Sequence, residues 1–182
     1  MKKKVLDIGC STGGMIYRYP FQKMDWEVFG NDPDESSIAY GRSKGIQNLE
    51  NLSGEDMTFE SETFDLVMII GSLEHVFNLE KVLDLCMNYL KTGGIFIISG
   101  RGYPIKHSSI CFNHHDHGYL NSISLEYLFK IYNLESMDIK NADLSGEHRR
   151  NSIIKIGRKK GQSKPDQTLE LQNLKNKKIG NN

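Results

Sequence analysis

The run Val5-Leu6-Asp7-Ile8-Gly9-Cys10-Ser11-Thr12-Gly13-Gly14 constrains the chain more than any other feature. Four residues of strand character lead straight into a turn of small residues. In an α/β sheet that device brings backbone N–H groups up to a ligand at the carboxyl edge of a strand. Two ligand classes fit it poorly. A dinucleotide fingerprint, G-x-G-x-x-G, needs glycine where Ser11 stands, although Gly9 and Gly14 keep the outer spacing, and a P-loop needs a Lys-Ser/Thr pair that does not follow.

The rest of the chain repeats the strand-then-helix rhythm. Residues 5–8, 27–30, 64–70 and 95–98 read as strands, the last two apolar on both faces as a covered parallel sheet requires. Helices are predicted over 35–44, after the Pro33-Asp34 start signal, and over 79–90, where Leu79, Val82, Leu83, Cys86 and Leu90 share a face before Gly93-Gly94. A third strand near 49–52 is weakly marked. A helix over 124–132 turns Leu125, Leu128 and Phe129 inward, and runs 134–139 and 152–156 predict an antiparallel pair at a sheet edge. The expected organisation is one domain over 1–158 and a polar, Lys-rich tail over 159–182, too poor in apolar residues to offset the cost of ordering.

Composition narrows the partners. With 182 residues the chain is long enough to bury a core, and 23 Lys+Arg against 23 Asp+Glu leave no global positive field for nucleic acid or an anionic membrane. From Lys159 onward six Lys face Asp166 and Glu170, a local +4 that leaves −4 for the remainder. No apolar run approaches the roughly 18–20 residues that span a bilayer, and Met1-Lys2-Lys3-Lys4 leads only into a short stretch broken by Asp7, so a cytoplasmic protein without a signal peptide is expected. Cys10, Cys86 and Cys111 are far apart with no CxxC pair, which argues for reduced thiols.

The segment DIGCSTGG resembles the first motif of the class I S-adenosylmethionine-dependent methyltransferases, an acidic residue followed by G-x-G-x-G, with Ser11 in place of the middle glycine. The likeness continues in order. Asp32 follows the second strand where the family binds ribose hydroxyls, Glu55-Asp56-Met57 is similar to its adenine-contact segment, and Phe64-Asp65-Leu66-Val67, Ser72-Leu73-Glu74-His75-Val76 and Leu90-Lys91-Thr92-Gly93-Gly94 resemble the small-molecule branch, with Thr92 replacing a proline. His114-His115-Asp116-His117-Gly118-Tyr119 resembles a further element of that branch beside the substrate. The five motifs together span residues 5 to 156 and are specific jointly, although each alone is weak.

The resemblance implies a doubly wound α/β fold with a mostly parallel seven-stranded sheet. It implies S-adenosylmethionine as cofactor and S-adenosylhomocysteine as product. The cofactor contacts it implies are Asp7, Gly9, Cys10, Ser11, Gly13, Asp32, Pro33, Asp56, Met57, Gly71 and Leu73. Family members usually carry helices before the first strand, whereas here Lys4 is already entering it, so the expected architecture lacks those helices and its site is open. The implied reaction is methyl transfer to an oxygen or nitrogen of a small-molecule acceptor. The alternative is a non-catalytic module that holds the nucleoside, or a partner, on the same fold. An NAD-dependent oxidoreductase lacks its glycine fingerprint. Oligomeric state is not legible.

Transfer from a sulfonium quenches charge as the bond forms, so alignment is the main task and a base is needed only for a protonated acceptor. Imidazole suits that proton near neutral pH, and His75, His114, His115 and His117 are the candidates, each balanced against a solvated loop histidine. Residues 100–123 are expected to line the acceptor pocket, with Tyr103, Phe112 and Tyr119 as candidates for it or for core. Cys111 and His107 extend the His cluster toward a metal set, but adjacent histidines seldom point at one centre, and no metal is expected. Arg149-Arg150 could hold an acidic substrate or be solvated. Gly9 is expected to resist a side chain because the ligand approaches there, and Ser11 to accept glycine.

Overall fold

The computed structural model describes residues 2–17, 21, 24–101, 122–137 and 152–161. Its strands are β1 (Lys4–Ile8), β2 (Glu27–Asn31), β3 (Leu49–Glu50), β4 (Phe64–Ile70), β5 (Leu90–Arg101), β6 (Leu134–Met137) and β7 (Ser152–Lys159). The helices are α1 (Gly14–Tyr17), α2 (Glu35–Ser43), α3 (Leu79–Tyr89) and α4 (Ser122–Ile131), with single 3-10 turns at Gly54–Asp56 and Leu73–His75. The strands form one seven-stranded sheet in the order β3-β2-β1-β4-β5-β7-β6. The pairings from β3 through β5 are parallel, and β7 runs antiparallel to β5 and β6. The expected α/β fold with an antiparallel pair at one edge is therefore the observed one.

Chain order reverses between β1 and β4, so the crevice at their carboxyl ends is the topological switch point where ligands bind in such sheets. Alternation along the central strands splits the core in two. Leu6, Ile8, Val67, Ile69, Phe96 and Ile98 face one side, covered by Val82 and Leu83 of α3 and Leu125 and Phe129 of α4. Val5, Leu66 and Met68 face the other, where α1 and α2 supply Ile16 and Ile38.

Local chemistry sets the helix ends. Asp34 caps α2 by accepting from the Ser36 N–H at 3.1 Å, and Asn78 caps α3 by accepting from the Lys81 N–H at 3.0 Å. Glu55 Oε1 also accepts the Phe77 and Asn78 N–H groups, each at 2.9 Å, which ties the Gly54–Asp56 turn to the start of α3. At the other end of α3, Lys159 Nζ donates to the carbonyls of Met87 and Leu90 at 2.8 and 2.6 Å. Lys159 was assigned by sequence to the tail; it is 5% exposed and belongs to β7.

Other boundaries moved for identifiable reasons. The helix expected to reach residue 90 stops at Tyr89, because Leu90 pairs with Phe64 and opens β5. Gly93-Gly94 sits in the register shift that follows, before pairing resumes at Leu66 and Ile95, and Gly93 takes φ +80°, so the pair marks a bulge in a strand. The turn after β1 winds into the four-residue helix α1, which has too few residues for a sequence period. The continuation of β6 to residue 139 and the tail from 162 lie outside the described residues, and among those described no helix is long and apolar enough to cross a membrane.

Candidate functional site

Gly9, Ser11 and Gly13 all take left-handed backbone, with φ of 71°, 51° and 71°. Three such residues in five fold the chain back on itself at the end of β1, and the Gly9 and Cys10 N–H groups both donate to the Asn31 carbonyl at 2.9 Å. The turn is thereby latched to the end of β2. Ser11 pays the usual penalty of an L-residue in this region, which a glycine would not.

Asp32 follows β2 and is oriented by two backbone donors. Its Oδ2 accepts the Ser11 N–H at 2.8 Å and its Oδ1 accepts the Asp34 N–H at 2.9 Å. Each carboxylate oxygen retains a lone pair, so the group remains able to take two further hydrogen bonds from a diol. Pro33 beside it is exposed, and its carbonyl accepts the Asn51 side-chain N–H at 3.0 Å.

Beneath the turn the chemistry is unusual for a buried layer. Asp7 is 3% exposed, and burial, with the Asp32 charge second, pushes its carboxyl up to about 7. Burial pushes the Cys10 thiol up to about 12, with Asp7 and Asp32 adding to the effect. A neutral thiol packs against Gly30, where a Cβ would come within 2.7 Å of Sγ.

The reason for glycine at position 9 differs from the expected one. A Cβ on Gly9 would overlap the Ser72 side chain, whose Oγ donates to the Ile8 carbonyl at 2.8 Å. The constraint is an internal contact between the β1 and β4 ends, added to the positive φ. Gly13 is likewise held from inside, by Ile46 and Leu49 side chains at 3.1 Å from a built Cβ.

The β4 end supplies Gly71, exposed, at φ +73°, with its N–H donating to Ser99 Oγ at 3.1 Å and no atom within 4 Å of a built Cβ. Leu73 and Met57 are buried in the core, so what they offer the crevice is backbone. Asp56 is exposed and accepts Ser53 Oγ at 2.7 Å. Glu55, expected in the same contact segment, serves α3 instead. Burial alone would raise its carboxyl, but the Asn78 and Phe77 N–H groups hold it below the usual range. His75 is exposed at the carboxyl end of β4, next to Glu74, which is 5% exposed. His114, His115 and His117 lie outside the described residues, as do His107, Cys111, Tyr103, Phe112, Tyr119 and Arg149-Arg150.

Two residues of the crevice, Ser99 and Asn31, escaped the sequence reading, and Ser72 entered it only as part of a motif, without its role. Ser72 holds the turn, Ser99 holds Gly71, and Asn31 is 1% exposed with its amide donating to the Leu52 carbonyl at 3.1 Å. Each is a polar residue at or just past the end of an apolar strand, and that is the signal that could have found them. The arrangement as a whole places a left-handed turn, a pre-oriented carboxylate and a buried acid on one edge. It suits a nucleoside with a cationic arm.

Comparison with known proteins agrees with that chemistry. The methyltransferase domain family matches residues 6–98. A curated relative, the ubiquinone biosynthesis O-methyltransferase of Rhizobium etli, is 30% identical over 101 residues, which is 53% of this chain and 40% of the relative. The matched region thus spans about two fifths of that relative's length. Among solved structures, the YcgJ protein of a Bacillus species aligns with a TM-score of 0.71 at 16% identity, covering 88% of this chain and 93% of its own. The geranyl diphosphate C-methyltransferase of Streptomyces coelicolor A3(2), solved with Mg2+, geranyl diphosphate and S-adenosyl-L-homocysteine, aligns with a TM-score of 0.69 at 13% identity over 87% and 71% of the two chains. At those identities the structures speak for the fold.

Proposed function

Since the chain belongs to the methyltransferase domain family of class I S-adenosylmethionine-dependent enzymes, we propose that it catalyses methyl transfer from S-adenosylmethionine to an oxygen of a small-molecule acceptor, nitrogen being the other acceptor considered. The observation that carries the reading is Asp32, held by the Ser11 N–H at 2.8 Å on the same edge as the glycine turn. A carboxylate fixed beside left-handed backbone matches a ribose diol next to a flexible methionine arm. Oxygen is preferred because the curated relative is an O-methyltransferase.

S-adenosylmethionine supplies an electrophilic methyl group on a sulfonium sulfur. The chain's part is binding, orientation and proton handling. Asp32 holds the ribose. The backbone of Gly9 to Gly13 would take the methionine arm, with Cys10 and Asp7 as further contacts at the end of β1. Asp56 and the Met57 backbone take the adenine, and Pro33, Gly71 and Leu73 bound the cleft. A hydroxyl acceptor arrives protonated, so a base accepts that proton; His114, His115 and His117 in the 100–123 segment are the first candidates and His75 the fourth. The acceptor-binding role is assigned to the same segment.

The test is transfer from S-adenosylmethionine to a panel of phenols, alcohols and amines, read as S-adenosylhomocysteine formed and as methylated product by mass. The expected result is product from at least one hydroxyl acceptor. Cofactor binding without product from any acceptor would leave the non-catalytic nucleoside-binding module as the function.

A further inference from the structure

The backbone leading to Met57 is held by groups distant from it in sequence. Asn31 Nδ2 donates to the Leu52 carbonyl at 3.1 Å, and Glu55 Oε1 accepts the Phe77 and Asn78 N–H groups at the start of α3, each at 2.9 Å. At the other end of α3 the Tyr89 hydroxyl donates to the Met57 carbonyl at 2.7 Å. Residues 52–57 hold only the single turn Gly54–Asp56 and no strand or α-helix, so these ties do for them what a backbone ladder does elsewhere. Tyr89 is 3% exposed. Its ring meets Phe59 edge-on at 5.4 Å, and Phe59 meets Phe64 of β4 at 5.0 Å, so the core aromatic chain fixes where the hydroxyl emerges.

What the ties leave open is narrow. Asp56 Oδ2 accepts the Ser53 hydroxyl at 2.7 Å, while Oδ1 accepts nothing among the described residues. The Met57 N–H likewise has no acceptor among them, whereas the Val76 N–H, at the same place after the Leu73–His75 turn, closes on the Leu73 carbonyl at 3.2 Å. An open acceptor is thus followed directly by an open donor. That order complements a 6-aminopurine, which offers an exocyclic N–H beside a ring-nitrogen acceptor, and it mismatches a 6-oxopurine, which offers the reverse.

We propose that α3 sets this edge, with Tyr89 and Glu55 as positioning residues that act through Met57 and Asp56 and make the site selective for a 6-aminopurine. The assignment rests on the cofactor reading above, in which Asp56 and the Met57 backbone take the base. Tyr89 and Glu55 are themselves engaged with the Met57 carbonyl and the α3 N–H groups. Because one helix holds the segment at both places, the donor and the acceptor keep their spacing in the empty protein, and the cost of ordering them falls on folding rather than on binding. A base with the matching pattern gains the whole of that preorganisation. A base with the reversed pattern meets acceptor with acceptor and donor with donor, and the ties keep the segment from turning aside.

Calorimetric titration with S-adenosylhomocysteine and with its 6-oxopurine counterpart, S-inosylhomocysteine, reads the base preference of each protein. Wild type is expected to prefer the 6-aminopurine. Tyr89→Phe, which keeps the ring, and Glu55→Ala are each expected to narrow that preference about 3- to 10-fold, chiefly by weakening S-adenosylhomocysteine. Tyr132→Phe is the control: it removes another buried hydroxyl bonded to α3, at 2.9 Å from Asp84 Oδ1, that makes no tie to residues 52–57, and its preference should equal that of wild type. A purely structural role for Tyr89 would lower the urea midpoint of Tyr89→Phe and leave its preference at the wild-type value, which would overturn the assignment. Unchanged preference in folded Glu55→Ala would overturn it too, so the outcome does not depend on Tyr89→Phe folding, and so would an equal narrowing in Tyr132→Phe. Equal affinity of wild type for the two ligands would remove the base selectivity and leave the proposed function standing. Absence of S-adenosylhomocysteine binding to wild type would overturn both.

Discussion

Gly9 is where the strand ends β1 and β4 meet, and replacing it tests whether the turn is shaped from within. In Gly9→Ala the new Cβ suffers twice. At φ +71° an L-residue costs about 1–2 kcal/mol, and overlap with the Ser72 side chain adds the penalty of overpacking, about 1–3 kcal/mol. The sum, about 2–5 kcal/mol, is a large share of the 5–15 kcal/mol typical of a domain. Ser72→Gly removes the obstructing atoms but forfeits the 2.8 Å bond to the Ile8 carbonyl, at about 1 kcal/mol. In that background Gly9→Ala should cost only its backbone share, about 1–2 kcal/mol. Urea denaturation of the four proteins, without cofactor, gives the coupling directly; about 1–3 kcal/mol of relief is expected. Additivity within about 0.5 kcal/mol would refute the contact, and a Gly9→Ala protein of parental stability with impaired ligand binding would restore the view that the glycine exists for the ligand.

Ser11→Gly should leave stability within about 1 kcal/mol, relief at φ +51° being offset by the freer unfolded chain, and should keep cofactor affinity; a loss comparable to that of Gly9→Ala would mean the turn is misaligned. Lys159→Met should cost about 2–4 kcal/mol in denaturant titration, since the Met87 and Leu90 carbonyls lose their donor at the end of α3, and an unchanged midpoint would show that the cap is dispensable. Of the single alanine variants at His114, His115, His117 and His75, one should lose about 100- to 10,000-fold in transfer rate once an acceptor is in hand; full activity in all four would remove the imidazole base.

Sequence alone reached those parts of the molecule whose signals are local. The apolar runs of β4 and β5, the capped start of α2, the apolar face of α3 and the glycine turn after β1 each carry their pattern within a few residues, and the structure has them in those places. What escaped reading depends on partners distant in sequence. The Gly9 constraint belongs to Ser72, the extent of β7 to Lys159 reaching the carbonyls that end α3, and the bulge at Gly93-Gly94 to the pairing of Leu90 with Phe64. Gly93-Gly94 after an amphipathic run reads as a helix stop in any local window. β3, two residues long, is held by parallel pairing to Gly30 and Asn31 rather than by strand propensity. In the candidate site, Asp32 was singled out through the family resemblance, whereas the burial that perturbs Asp7 and Cys10 exists only once β1 is flanked by β2 and β4.

The central claim is that this edge binds S-adenosylmethionine through Asp32, and calorimetric titration of wild type against Asp32→Ala tests it most directly. Losing two hydrogen bonds to a charged group should cost about 2–4 kcal/mol, a rise in Kd of about 30- to 1,000-fold, with circular dichroism showing both proteins folded. Equal affinity in the two proteins, or no binding of S-adenosylmethionine to wild type, would contradict it.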